Sequence, residues 1–204
     1  MRNLLTLFVC STLLSCAGEV EDSAVSAIDP NFFNLKEFVA QEKGRMIDMS
    51  ISKTVTVNGI EETQELTEVD WELELAPFAQ SNIDRPAMWD GYQVDKSRCE
   101  GMTKLEYTSI DPSSYTKSLE VTFSDKSNPL DTVHAILINN GFNSYIAKTS
   151  QRLIWWEGGY EINSIQKAIL SDQRYLSIGV KWKSGELGPC VFDSEKNPNL
   201  MFLD

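Results

Sequence analysis

The sequence holds a single histidine, His134, and few groups that could share chemical work with it. No G-x-S-x-G elbow is present, so a Ser-His-acid hydrolase has no anchor point. Neither H-E-x-x-H nor C-x-x-C occurs, which removes the usual zinc sets of paired histidines or cysteines. Phosphate-loop and dinucleotide fingerprints are missing, leaving nucleotide cofactors without support. The tail DSEKNPNLMFLD lacks the mid-loop glycine and closing glutamate of a calcium-binding EF-hand. Cations are scarce, with 18 Lys and Arg against 30 acids and a formal net charge of −12. Such a balance argues against binding nucleic acid through its phosphates and against docking on anionic headgroups. The apolar run from Leu4 to Leu14 is too short to cross a hydrocarbon layer of roughly 30 Å as a permanent helix. No cofactor and no metal are expected, and an enzymatic role has little to stand on.

What is present begins at the N-terminus. Arg2 precedes that apolar run, which ends in Leu13-Leu14-Ser15-Cys16. This resembles the lipobox of bacterial lipoproteins, which implies cleavage before Cys16 and acylation of its thiol. An ordinary signal peptide cut near Ala17-Gly18 is the alternative. The chain divides accordingly into a signal peptide (1–15), a lipidated cysteine with a polar tether (16–29) and one domain (30–204). Removing residues 1–15 from 204 leaves 189, ample for a sizeable core. It takes away Arg2 and no acid, so 17 cations face 30 acids and the net charge becomes −13. By resemblance to enterobacterial sorting rules, Ala17 rather than Asp after the cysteine implies the outer membrane. Glu19, Glu21 and Asp22 resemble the acidic motif that sends some lipoproteins of the Bacteroidota to the cell surface, so periplasmic and outward faces both stay open.

Of four cysteines, Cys10 leaves with the signal and Cys16 would be acylated, leaving Cys99 and Cys190 as a candidate disulfide in an oxidising compartment. Two buried free thiols, or no contact at all, are the other readings.

The pattern along the chain predicts α+β. Asp29-Pro30 reads as a capped helix start, and Phe32, Leu35, Phe38, Val39 and Met46 form one apolar stripe. Val57-Asn58-Gly59-Ile60 is a tight-hairpin signal whose second arm is polar, placing it at a sheet edge. Val69, Trp71, Leu73 and Leu75 alternate like a strand, but Thr67 and Asp70, with Leu66 and Trp71, read as the start of a second helix, ending or kinking near Pro77. SNIDRPAMWDGYQVD reads as a loop. From residue 103, six runs read as strands: TKLEYTSI, TKSLEVTF, TVHAILIN, YIAK with SQRLIWWE, GYEINSIQKAIL and RYLSIGVKW. Turns separate them, Asn140-Gly141 among these, and no helix-length gap permits parallel crossovers. The expectation is a curved antiparallel sheet, a meander or half-barrel, covered by two N-terminal helices. Val133, Ala135 and Leu137 should share one face against Ile136 and Ile138, and Leu153 with Trp155 should oppose Ile154 with Trp156.

Trp155, Trp156, Glu157 and Tyr160 are the candidate ligand or interaction surface, because aromatics beside an acid could cradle a sugar or a partner. A lipid-tethered, helix-covered sheet resembles the lipoprotein carriers of the bacterial envelope, whose half-barrels shelter acyl chains. That implies an apolar or acyl ligand bound without catalysis. A scaffold or interaction module docking an envelope protein, and a carbohydrate-binding or glycoside-acting protein, are the alternatives. SKTVTVNG, DWELELAPF, SNIDRPAMWDGYQVDK and RYLSIGVKW are similar to segments of small outer-membrane lipoproteins of the Bacteroidota with no assigned activity. This implies an envelope location and assigns no residue a role.

Overall fold

The computed structural model describes residues 32–99, 101–124 and 129–182. Cys16, the tether, Asp29-Pro30 and Cys190 therefore lie outside the described residues.

The first helix, α1, is Leu35–Met46. It starts later than the Asp29-Pro30 signal suggested, because Asn34 supplies the cap: its Oδ1 accepts the Glu37 N–H at 3.0 Å. The preceding residues are committed elsewhere, since the Phe33 N–H donates to the buried Tyr107 hydroxyl at 2.9 Å. The stripe Leu35, Phe38, Val39 and Met46 is buried as its spacing requires, and Glu42 is buried in the middle of it. The second helix, α2, is Trp71–Gln80, capped by Asp70, whose Oδ1 accepts from the N–H groups of Glu72 and Leu73. It neither starts at Thr67 nor ends at Pro77. Proline deprives only the Leu73 carbonyl of a donor, Leu73 is exposed to water, and Leu75 and Phe78 on either side of Pro77 are both buried.

Among the described residues nine strands follow in chain order: β1 (Ile51–Val57), β2 (Ile60–Leu66), β3 (Tyr92–Cys99), β4 (Met102–Ser109), β5 (Thr116–Ser124), β6 (Val133–Asn143), β7 (Ala147–Trp156), β8 (Gly159–Ala168) and β9 (Arg174–Lys181). They form one sheet in the order β2-β1-β9-β8-β7-β6-β5-β4-β3. Among the described residues every pairing is antiparallel and β2 and β3 are the edges, so the sheet they form is open rather than closed into a barrel. The β1–β2 turn carries Asn58 and Gly59 at φ +50° and +86°, the left-handed pair that a two-residue hairpin needs. Because β2 and β3 lie at opposite edges, residues 67–91 must traverse the sheet. Along that path Trp71 meets Trp182, Phe78 meets Tyr160, and Phe32 meets both Trp89 and Tyr107. These rings belong to one continuous core with Leu119, Val121, Ile136, Ile138, Leu153 and Val180.

The structure adds a strand the pattern missed. YQVDKSRC forms β3, preceded by a 3-10 helix at Pro86–Gly91, where a loop was expected. Asn140-Gly141 is not a turn. It continues β6, opposite Gln151 and Ser150, and the reversal falls beyond Asn143. Asn140 is buried there, donating to Ser81 Oγ at 2.8 Å and Gln151 Oε1 at 3.3 Å.

Candidate ligand-binding site

A local irregularity in the pairing of β5 with β6 builds the site. Thr122 pairs with Ala135, but Phe123 pairs with Val133, leaving His134 as an extra residue in β6. This β-bulge changes which residues share a face. Val133 joins Ile136 and Ile138 in the main core, whereas Ala135 and Leu137 are buried apart from it. The expected grouping of Val133 with Ala135 and Leu137 is therefore corrected: strict alternation cannot survive one added residue. The grouping in β7 is as expected, with Leu153 and Trp155 in the core and Ile154 outside it.

The bulge brings His134 Nε2 to 2.6 Å from Ser124 Oγ, at the end of β5. Both line a cavity of about 540 Å³ between the C-terminal end of α1 and one end of the sheet. Met46, Met49, Val133, Trp155 and Trp182 form its apolar wall; Glu42, Arg45, Asp131 and Glu157 are its charged groups. Arg45 ties two sides together, with Nη1 2.5 Å from Glu42 Oε1 and Nη2 3.2 Å from Asp131 Oδ1. Trp182 donates from Nε1 to the Glu157 carbonyl at 3.0 Å, fixing the β7–β8 turn against the end of β9. That turn requires Gly159, where a Cβ would fall 2.3 Å from the Val180 carbonyl oxygen.

Three acids against one arginine make the lining net acidic. Glu42 is only 6% exposed, and burial pushes its carboxyl above the usual carboxylate range. Arg45 opposes this rise and Glu157 adds to it. A carboxyl whose folded pKa exceeds its unfolded value contributes most at low pH. That contribution is complete below about 4.5 and is lost as pH rises through the folded value. Glu42→Gln is therefore expected to lose less stability than the parent between pH 4.5 and 7, read from urea unfolding at both pH values; equal losses would refute the assignment. Deeper in the fold, Tyr160 donates from its hydroxyl to Glu74, whose other oxygen is 2.5 Å from Lys53 Nζ. Burial and the Glu74 charge hold the Tyr160 phenol far above its ordinary pKa, so it serves as a neutral donor anchoring α2.

The four surface candidates separate. Trp155 and Tyr160 are buried core residues, Trp156 is half-buried on the opposite face of β7, and Glu157 is exposed in the following turn. Consecutive residues of a strand point to opposite faces, so no continuous aromatic patch forms. Trp155 and Glu157 do meet at the cavity, joined by Glu42, Arg45, His134 and Trp182, which the sequence reading left without a ligand role. Only a bulge and a helix-to-sheet approach bring them together. Among the described residues no cluster of three or more His, Cys, Asp or Glu is placed to hold a metal. The His134 ring has no carboxylate hydrogen-bonded to it among the described residues, so Ser124 and His134 form a polar pair without an orienting acid. Cys99, at the end of edge strand β3, is disulfide-bonded. No protein-family model, curated protein or solved structure matches the chain.

Proposed function

We propose that the protein is a lipid-anchored envelope lipoprotein that binds a small amphipathic ligand without chemical conversion. In this reading a curved sheet is covered on one face by α1 and α2, Cys16 carries the anchor to the outer membrane, and Cys99 pairs with Cys190. The cavity is the ligand site. Its mixed lining carries the proposal: an apolar or acyl body would lie against Met46, Met49, Val133 and Trp155, at about 0.8 kcal/mol for each methylene buried. A hydrogen-bond-donating or cationic head suits the acids at Glu42, Asp131 and Glu157. A carbohydrate is the second reading, favoured by two indoles, Trp155 and Trp182, beside carboxylates.

Native mass spectrometry of residues 17–204, purified without detergent, tests the site. A one-to-one adduct is expected, removed by solvent extraction and absent when Met49→Trp fills the cavity. The adduct's composition separates an acyl compound from a sugar. A bare mass in the parent protein, with no adduct after incubation with envelope lipid and sugar extracts, would overturn the binding role.

A further inference from the structure

The opposite end of the sheet presents a second surface. The β6–β7 and β8–β9 hairpins lie side by side, and their turns are joined by the Ile169 N–H donating to the Ile146 carbonyl at 3.0 Å. Six large apolar side chains stand exposed on them: Phe142, Tyr145, Ile146, Ile169, Leu170 and Tyr175, with Tyr145 at 91% and Leu170 at 96%. These turns hold themselves in place. Ser144 bonds Ala147 through both main chain and side chain, and the Tyr175 N–H donates to Asn58 Oδ1 at 2.9 Å. Burial therefore does not account for the apolar side chains, and a display of this kind marks an interaction site.

Charge identifies the partner. In a chain of net charge −12, the tips of these hairpins, residues 142–148 and 167–175, carry Lys148, Lys167 and Arg174 against the single acid Asp172. Lys148 and Lys167 are directly opposed across β7 and β8, an arrangement that repels unless an anion lies nearby. None of the three cations has an ion pair among the described residues. Apolar and aromatic tips backed by cations that have no ion pair among the described residues match a bilayer, whose interior takes the tips while its phosphates meet the lysines.

The orientation of α1 sets this end of the sheet apart from the cavity. The N-terminal turn of α1 is held by Asn82, whose Oδ1 accepts the Lys36 N–H at 3.3 Å. The neighbouring Ser81 is bound by Thr116 and Asn140, at the same end of β5 and β6 as the hairpin tips. Met46, at the other end of α1, lines the cavity. The N-terminal end of α1 thus lies toward the tip end of the sheet and its C-terminal end toward the cavity.

We infer that the β6–β7 and β8–β9 hairpin tips form a docking surface for an anionic lipid bilayer, leaving the cavity facing away from it. The inference needs neither the lipid anchor nor the cavity's occupant. Its test uses residues 17–204, which contain every described element and no Cys16. Co-sedimentation with vesicles of phosphatidylglycerol and phosphatidylethanolamine is expected, weakening in high salt and on pure phosphatidylcholine. Lys148→Glu with Lys167→Glu should reduce partitioning by about thirtyfold or more, at about 1 kcal/mol for each lysine. Leu170→Ser, at a fully exposed site, should reduce it by about tenfold with an unchanged urea midpoint. Binding that ignores headgroup charge and both sets of substitutions would overturn the inference. Absence of vesicle binding would overturn it as well: self-association lost in Leu170→Ser would assign the surface to a second copy, and a monomer to a protein partner or the chain's flanking residues.

Discussion

Trp155→Ala is expected to lower the unfolding free energy by about 3–5 kcal/mol, a large fraction of the total stability of an ordinary domain. The side chain is only 4% exposed and meets Phe38 of α1 edge-on, with ring centroids 4.8 Å apart. It therefore links α1 to the centre of the sheet, and the helix cannot close the space an alanine leaves without losing its other contacts. Truncation also removes one wall of the cavity. The adjacent Trp156→Ala is the control, since Trp156 is half-buried and lies outside the main core; about 1 kcal/mol is expected there. Urea unfolding of both variants should move the midpoint without changing the slope. Equal losses for the two indoles would contradict the assignment of faces in β7.

Cys16→Ser is expected to move the protein almost completely from the membrane fraction to the soluble fraction. A serine offers no thioether for the diacylglycerol, and stable attachment needs more than one acyl chain. Among the described residues no helix is long and apolar enough to cross a membrane, so they supply no helical substitute for the anchor. Hairpin docking would leave a residue of bound protein that high salt removes, because headgroup attraction is screened within about a Debye length. Fractionation with and without a salt wash, and the mass of the N-terminal peptide, read the two contributions separately. A serine variant whose N-terminal peptide shows residues 1–15 removed, yet which stays bound through the salt wash, would sink the lipoprotein reading.

The fold was legible wherever side-chain pattern and local turn chemistry agreed. Alternating apolar residues marked β4 to β9, and Asn58-Gly59 marked the β1–β2 hairpin, because each property is carried by residues close in sequence. β3 was illegible for a physical reason: after Tyr92 and Val94 its side chains are exposed and polar, and its conformation follows from pairing with β4. Gly141 misled for the converse reason, since a turn-forming dipeptide is held straight by the strands on either side. At the site, Trp155 and Glu157 stood out as an aromatic beside an acid, whereas Glu42 looked like one more polar residue on a helix. Its place on the buried stripe, one turn from Met46, was the available signal.

The sequence by itself determined the acidic balance, the helix stripe, the strand alternation and the hairpin turns, since these depend on composition and on neighbours a few residues apart. Tertiary structure alone decided the site and the docking surface. One extra residue at His134 reassigns the faces of β6, and α1 must cross its end before Glu42 and Arg45 can meet Trp155 and Glu157. Likewise, Lys148 and Lys167 become neighbours only through strand register, and so a basic, apolar tip arises in a chain whose average charge argues against one. Net charge is a sum over the whole surface. Recognition depends on where the fold puts each term of it.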